Sequence, residues 1–166
     1  MRLKGKVVLI TASTRGIGLA CAVRCAKEGA VVYMAARNME RAEARAKELN
    51  EQGYTVKTVF NDASDKDSYR TMVEEVIRQE GRIDVLVNNF GTSNPKKDLD
   101  IKSTEYEEFI GTLDMNLASV FLPVQAVIPH MQSRAVEVLS IFLPSEDFVR
   151  ISRRLLMERA KRQLII

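Results

Sequence analysis

Eight residues near the start of the chain have the types and spacing of a loop that binds phosphate. They are Thr11, Ala12, Ser13, Thr14, Arg15, Gly16, Ile17 and Gly18. An apolar run, 7–10, precedes them and a helix-forming stretch, 19–28, follows, as at the start of a helix after a buried strand. Small residues there let backbone N–H groups approach a pyrophosphate. The pattern predicts a dinucleotide site, although a purely structural turn has the same spacing.

Two arginines indicate which dinucleotide this site takes. Arg37 follows the second apolar run, 31–36, at the position where a site for NAD has an Asp or Glu for the ribose 2′-hydroxyl. Arg15 lies in the phosphate loop itself. Two guanidinium groups match the doubly charged 2′-phosphate of NADP, so we predict NADP as the cofactor, with Arg37 and the adjacent Asn38 at that end of the site. The alternative is a pair of solvated surface arginines.

Polar residues also follow two further apolar runs. Asn61-Asp62-Ala63 follows the run 55–60, and Asn88-Asn89-Phe90-Gly91 ends the run 83–88. The carboxyl ends of parallel strands meet at the ligand-binding edge of such a sheet. There the Asp62 carboxylate can accept a hydrogen bond from the adenine amino group. The predicted cofactor contacts at this edge are Asp62, Ala63, Asn89, Phe90 and Gly91.

Alternating strands and helices must position these loops. The predicted strands are 7–10, 31–36, 55–60 and 83–88. The predicted helices are 19–28, 39–52, a third capped by Ser64 or Asp65 that ends at Glu80, and a long one from near Thr104 to about Met131. This alternation predicts an α/β fold, a doubly wound parallel sheet of the Rossmann-like type, of which these elements form the N-terminal half. The expected strand order is 3-2-1-4.

Composition narrows the function classes. The chain has 166 residues, 46% of them apolar, which is enough for one core. Residues 1–133 carry 18 basic and 18 acidic side chains, whereas 134–166 carry seven basic and four acidic ones. The sequence shows no secretion signal and no apolar stretch judged long enough to span a membrane. Cys21 and Cys25 are interpreted as small buried residues in a reducing compartment. We expect a soluble, cytoplasmic protein without metal, nucleic-acid or membrane partners.

The loops, in this order, resemble the short-chain dehydrogenase/reductase family. The family pattern is Thr-Gly-x-x-x-Gly-x-Gly, an adenine-side Asp, Asn-Asn-Ala-Gly, and an Asn on the long helix. This chain has Ala12 for the first glycine, Phe90 for the alanine, and Asn116 at the helix position. The resemblance implies an NADP-dependent oxidoreductase that acts on a small molecule and forms homotetramers. It also implies a catalytic role for Asn116, which would support a proton-relay water.

Within the family, the chain resembles the bacterial NADP-dependent 7α-hydroxysteroid dehydrogenases. The stretches that carry this resemblance are 11–18, 33–38, 87–91 and 93–99. It implies interconversion of the 7α-hydroxyl and the 7-ketone of bile acids, with a steroid as the substrate. Two alternatives stay open. One is another reductase of the family, such as one acting on 3-oxoacyl thioesters, and the other is a remnant that binds NADP without turnover.

The segment after residue 133 differs from the rest. The family uses a serine and then Tyr-x-x-x-Lys after the long helix for proton transfer. The segment has no glycine and no tyrosine, and the chain nowhere contains Tyr-x-x-x-Lys. Ser140 and Ser145 lie near the position of the serine but are not interpreted as catalytic, so we expect an inactive chain. A permitted choice of synonymous codons for 135–166, read one frame over, encodes a tyrosine across Leu156 and Met157 and a lysine across Ala160 and Lys161. We therefore interpret 1–133 as a truncated dinucleotide-binding domain and 134–166 as a non-homologous frameshift product. Within that tail, 135–143 can pair as a strand and 145–163 can form a helix.

Overall fold

A computed structural model describes residues 1–94, 96–97 and 102–132, together with the backbone of 139–142. Strands and helices alternate along this part of the chain. The strands are β1 (Val7–Thr11), β2 (Val31–Ala36), β3 (Thr55–Phe60), β4 (Val85–Asn88) and β5 (Leu139–Phe142). The helices are α1 (Gly16–Lys27), α2 (Met39–Glu51), α3 (Asp67–Glu80) and α4 (Tyr106–Gln132).

The strands form one parallel sheet in the order β3-β2-β1-β4-β5. In its middle strand, Val8 lies opposite Val32 of β2 and Val85 of β4. The predicted order 3-2-1-4 is therefore confirmed. β5 pairs with β4 and falls within 135–143, where the sequence allowed a strand. The helix expected over 145–163 lies outside the described residues.

Helices cover both faces of the sheet because successive strand residues point into two different cores. Val7 and Leu9 of β1 lie in the core shared with α3 and α4, whereas Val8 and Ile10 lie in the core shared with α1 and α2. Every residue of β1 is buried, which explains why its sequence is apolar without alternation. The doubly wound, Rossmann-like α/β fold predicted from the sequence is confirmed.

Two helix starts differ from the prediction. α1 begins at Gly16 rather than at residue 19, so the end of the phosphate loop is already helical. α3 begins at Asp67, and neither Ser64 nor Asp65 is its N-cap residue. Instead, the Asp62 and Asp65 carboxylates each accept a backbone N–H two residues further on, at 3.0 Å. Such local turns compete with the first turn of a helix and delay it.

α4 is long and apolar enough to cross a membrane by length and composition. It has 27 residues, and an 18-residue window has a mean hydropathy of 1.3 with 17% of it buried. The prediction that no apolar stretch reaches that length is wrong on this measure. The buried residues recur every fourth position and form one stripe, as in a helix lying on a sheet. They are Ser119, Pro123, Val127 and Met131.

The buried carboxylate of Asp84 links β1 to the residues just before β4, at the end of the sheet away from the predicted site. Asp84 accepts the Val7 N–H at 2.8 Å, bonds the Arg82 guanidinium and lies 3.7 Å from Lys6 Nζ. Burial raises the pKa of this carboxyl, but hydrogen bonds from Arg82 and Val7 and the neighbouring positive charges outweigh burial and lower it. Because this side chain is the acceptor for the Val7 N–H, the β4 ladder starts at Val85 instead of residue 83.

We expect Asp84→Asn to lower the free energy of unfolding by about 2 kcal/mol near neutral pH, because the amide leaves Arg82 without its charged partner. A carboxyl with a lowered folded pKa contributes stability above the ordinary aspartate value of about 3.9 and loses it as the pH falls through the folded value. The difference between wild type and variant should therefore narrow below about pH 4. Urea unfolding at several pH values measures both effects.

The matched control is Glu74→Gln, the same carboxyl-to-amide change on the surface. Glu74 pairs with Arg70 at 2.9 Å, and both side chains are more than half exposed (54% and 59%). Solvent screens such a pair, so the free energy of unfolding should stay nearly unchanged. Equal effects of the two substitutions would contradict a structural role for Asp84.

Candidate functional site

Four loops meet at the carboxyl edge of the sheet because β1 to β4 run parallel. They follow Thr11, Ala36, Phe60 and Asn88, the last residues of the four strands. The predicted site residues lie at the end of β1, on these loops or in the first turn of α1, except Asn116, which lies on α4. A ligand at this edge would face all four loops.

Hydrogen bonds to the residues that follow β4 fix the start of the phosphate loop, 11–18. The Thr11 hydroxyl is fully buried and accepts the backbone N–H groups of Asn89 at 2.9 Å and Phe90 at 3.1 Å. In return, Asn89 Nδ2 donates to the carbonyls of Thr11 and Ala12 at 3.1 and 3.0 Å. Thr11 and Asn89 therefore use these groups inside the protein to fix the loop. Direct cofactor contacts by either residue stay a prediction.

Two residues at the start of the loop have further internal roles. Ser13 is fully buried, and its hydroxyl donates to the Ile10 carbonyl at 2.9 Å. Ala12 has a φ of +51°, in the left-handed region that favours glycine. This conformation costs an alanine roughly 1 kcal/mol. Ala12 thus departs from the family pattern in residue type while keeping a backbone conformation suited to glycine.

The first turn of α1 begins with solvent-exposed residues. Arg15 is the N-cap residue, in an extended conformation, and its side chain makes no capping hydrogen bond. Arg15, Gly16 and Ile17 are exposed, with Ile17 at 63%, and Thr14 is half-buried. N–H groups at such a helix start, together with the helix dipole, favour a bound anion.

Gly18 lets α1 come close to the loop. A Cβ at this position would lie 2.4 Å from Asn89 Nδ2, 2.6 Å from the Ala12 carbonyl oxygen and 2.9 Å from Ser13 Cα. Two of these three atoms belong to the backbone and cannot swing away. Only glycine fits at position 18 without moving the helix or the loop.

Arg37 and Asp62 lie close enough to interact at the ends of β2 and β3. The Asp62 carboxylate accepts the backbone N–H and the hydroxyl of Ser64, at 3.0 and 2.8 Å. These two hydrogen bonds, with a smaller effect of the Arg37 charge, lower the pKa of Asp62 below its ordinary value. Asp62 is therefore ionised at neutral pH. Ala63 beside it is half-buried.

Asn38 caps a helix. Its Oδ1 accepts the backbone N–H of Arg41 at 2.8 Å, which makes it the N-cap residue of α2. The sequence pattern predicts Asn38 only as a cofactor contact and does not indicate this cap. An Asn directly before the helix-forming run 39–52 was the signal that could have shown it.

Asn116 holds the loop that follows β4. Its Oδ1 accepts the Thr92 N–H and its Nδ2 donates to the Thr92 carbonyl, both at 2.8 Å. A Cβ on Gly91 would lie 3.8 Å from the Asn116 Oδ1, so the end of the Asn-Asn-Phe-Gly motif passes next to this amide. Asn116 thus positions the loop carrying Gly91. Its support of a proton-relay water stays a prediction.

The described part of the chain has two cysteine thiols and no metal-ligating cluster. That part contains no group of three or more metal-ligating side chains. Cys21 and Cys25 are both free and half-buried on α1. Burial, with the nearby Cys21 thiol and Glu28, raises the pKa of Cys25, so this thiol stays protonated at neutral pH and is a poor nucleophile.

Known proteins are similar to this chain in sequence and in fold. A 7α-hydroxysteroid dehydrogenase of Clostridium sardiniense is 47% identical over 131 residues, which cover 79% of this chain and 50% of that protein. A 3-oxoacyl-(acyl-carrier-protein) reductase of Thermotoga maritima is 36% identical, over 79% of this chain and 52% of that protein. A crystal structure of a gluconate 5-dehydrogenase from Burkholderia cenocepacia, in complex with NADP and tartrate, has a TM-score of 0.75 at 31% identity, covering 84% of this chain and 54% of that one.

The chain spans about half the length of the curated relatives it matches. The sequence profile of the short chain dehydrogenases matches residues 6–141, from the start of the sheet into β5. That match covers the phosphate loop, the Asn-Asn-Phe-Gly motif and Asn116, whose geometry is described above. The chain belongs to the short-chain dehydrogenase/reductase family.

Proposed function

We propose that this chain is the cofactor-binding half of an NADP-dependent oxidoreductase that interconverts the 7α-hydroxyl and the 7-ketone of bile acids. The 47% identity to the Clostridium sardiniense enzyme carries the choice of substrate. The cofactor choice rests on Arg15 and Arg37, which are exposed at the carboxyl edge of the sheet. We also propose a cytoplasmic location and, for a complete protein of this type, a homotetramer.

The residues present fit NADP. The phosphate loop approaches α1 so closely at Gly18 that no Cβ fits, as a backbone cradle for pyrophosphate requires. In this proposal, 11–18 would hold the pyrophosphate, Arg15 and Arg37 the 2′-phosphate, and the ionised Asp62 the adenine amino group. When bound, NADP supplies the hydride acceptor on its nicotinamide ring. The chain itself binds and orients.

We further propose that these 166 residues do not turn over substrate. The alcohol must lose a proton from its oxygen as hydride leaves carbon, and this needs a base of suitable pKa. The sequence has no tyrosine after Tyr106 and no Tyr-x-x-x-Lys. The proposed cause is a frameshift after residue 133. The gene sequence around codon 134 tests it, since a shifted frame without the Tyr-x-x-x-Lys codons would contradict it.

The activity test compares two proteins, the 166-residue chain and a version with the reading frame restored after residue 133. With NADP and a 7α-hydroxy bile acid, we expect NADPH absorbance to rise only with the restored protein. Both should bind NADP in a calorimetric titration. Robust turnover by the 166-residue chain would contradict its proposed inactivity, and failure of both proteins to bind NADP would contradict the cofactor assignment.

A second substrate class has an observation in its favour. The Thermotoga maritima 3-oxoacyl-(acyl-carrier-protein) reductase is 36% identical over a similar span. The same restored protein should therefore be tested with NADPH and a 3-oxoacyl thioester. Faster reduction of the thioester than of a 7-keto bile acid would replace the steroid assignment and leave the cofactor assignment intact.

A further inference from the structure

A single buried hydroxyl organises the loop that carries Asp62. Ser68 lies in the first turn of α3 and is 2% exposed. Its Oγ accepts Asn61 Nδ2–H at 3.0 Å and the Asp62 backbone N–H at 3.1 Å. The same oxygen lies 2.6 Å from the Asp62 carbonyl and 2.7 Å from the Asp65 carbonyl, to which it can donate.

These contacts use the whole hydrogen-bonding capacity of Ser68. A serine hydroxyl has one proton to donate and two lone pairs to accept with. Here both lone pairs are engaged, and the proton is shared between two carbonyl oxygens. The hydroxyl therefore ties both backbone polar groups of Asp62 to the start of α3.

The side chain of Asp62 is fixed separately. Its carboxylate accepts two hydrogen bonds from Ser64, which lies two residues further along the same loop. That turn orients the carboxylate relative to the loop, but it does not attach the loop to the body of the protein. The Asn61 N–H bonds the Ala36 carbonyl of β2 at 3.1 Å, just before Asp62. Ser68 attaches Asp62 itself, because it belongs to a helix that packs in the core through Tyr69 and Met72.

We propose that Ser68 is a positioning residue for adenine recognition. It fixes the Asp62 backbone so that the Asp62 carboxylate favours dinucleotides that carry the adenine amino group. The proposal rests on the proposed function, in which this edge of the sheet takes NADP. Ser68 need not touch the cofactor, since it acts through Asp62. Loss of its hydroxyl should therefore affect discrimination at the adenine more than binding at the phosphates.

The test compares two dinucleotides by calorimetric titration of the full chain. NADP carries the 6-amino group, and nicotinamide hypoxanthine dinucleotide phosphate has an oxygen in its place. We expect wild type to prefer NADP by about tenfold, the worth of one hydrogen bond to a charged group. In Ser68→Ala the preference should fall to about twofold or less, while the affinity for the hypoxanthine analogue stays nearly constant.

The matched control is Thr71→Ala. Thr71 lies on the same helix, and its hydroxyl donates to the Ser68 carbonyl at 3.1 Å without reaching the Asp62 loop. This variant should keep the tenfold preference. Ser68→Cys is a second variant of nearly the same volume with a weak acceptor, and it should lose the preference even if Ser68→Ala fails to fold.

A second measurement does not depend on the cofactor. Amide hydrogen exchange of Asp62 should accelerate at least about tenfold in Ser68→Ala, since its N–H loses its acceptor. A purely structural role of Ser68 would lower affinity for both dinucleotides equally, and that result would overturn the proposal. If wild type prefers NADP and Ser68→Ala keeps the preference, only this inference fails. If wild type binds neither dinucleotide, the proposed function fails with it.

Discussion

Gly18→Ala should destabilise the protein and abolish most of its NADP binding, although alanine is the better helix former. Position 18 lies in the first turn of α1, where propensity alone favours alanine by about 1 kcal/mol. The new Cβ, however, would lie 2.4 Å from Asn89 Nδ2 and 2.6 Å from the Ala12 carbonyl oxygen. Relief of that overlap must separate α1 from the loop and break the hydrogen bonds of Asn89. We expect a net loss of about 2 kcal/mol in unfolding free energy and at least about 30-fold in NADP affinity.

Gly111→Ala provides the matched control. Gly111 also lies within a helix, α4, but a Cβ there would meet nothing within 4 Å. That substitution should raise the free energy of unfolding by about 0.5–1 kcal/mol. Urea unfolding followed by circular dichroism gives both values, and titration calorimetry gives the affinity. Opposite signs for the two substitutions are the expected result, and the same sign would contradict the close approach at Gly18.

The architecture was predictable because it depends on local patterns. The apolar runs around Val8 and Val32 are buried on both faces of the sheet, as a continuous apolar run predicts. The predicted ends of helices and strands were wrong where a side chain, instead of another backbone group, accepts a backbone hydrogen bond. The Asp62 and Asp65 carboxylates delayed the start of α3, and Asp84 took the place of a ladder acceptor at β4. A polar side chain near an element end can bond its own backbone or continue the element, and the sequence does not distinguish these outcomes.

The place of the candidate site residues in the fold was predictable, whereas the hydrogen bonds of their side chains were not. The ends of the predicted strands indicated which four loops lie together, because parallel strands bring their carboxyl ends to one edge of the sheet. The amide residues Asn38, Asn89 and Asn116 all make hydrogen bonds within the protein that the sequence did not predict. An amide bonds a ligand and a backbone carbonyl with the same groups. Which of these two partners an amide bonds depends on distances between loops that are far apart in sequence.

Replacing the two exposed arginines should convert an NADP site into one with no preference between NADP and NAD. A hydrogen-bonded charge pair with phosphate is worth about 1.5–3 kcal/mol, so each of Arg15→Ala and Arg37→Ala should weaken NADP binding by about 10- to 100-fold. NAD lacks the 2′-phosphate, and its affinity should hardly change. The double variant should bind the two dinucleotides with similar affinity, as measured by calorimetry at low salt.

Arg45→Ala is the matched control for these substitutions. Arg45 lies on α2, pairs with Glu48 at 2.7 Å and is about half exposed (45%). It shares the charge and the solvent exposure of Arg37 but lies away from the strand end. Its removal should leave the ratio of the two affinities unchanged, apart from a small general effect of net charge that salt screens.

The direct effect of Arg37 on binding of the 2′-phosphate must also be separated from its effect on the pKa of Asp62. The Arg37 charge helps to lower the pKa of that carboxyl, but the two hydrogen bonds from Ser64 contribute more. Asp62 therefore remains ionised at neutral pH in Arg37→Ala, and its proposed contact with adenine, common to NADP and NAD, cancels in the ratio of affinities. A loss confined to NADP thus reports on the 2′-phosphate alone. If the double variant kept its preference for NADP, Arg15 and Arg37 would be ordinary solvated arginines, and the cofactor assignment would lose its main support in this chain.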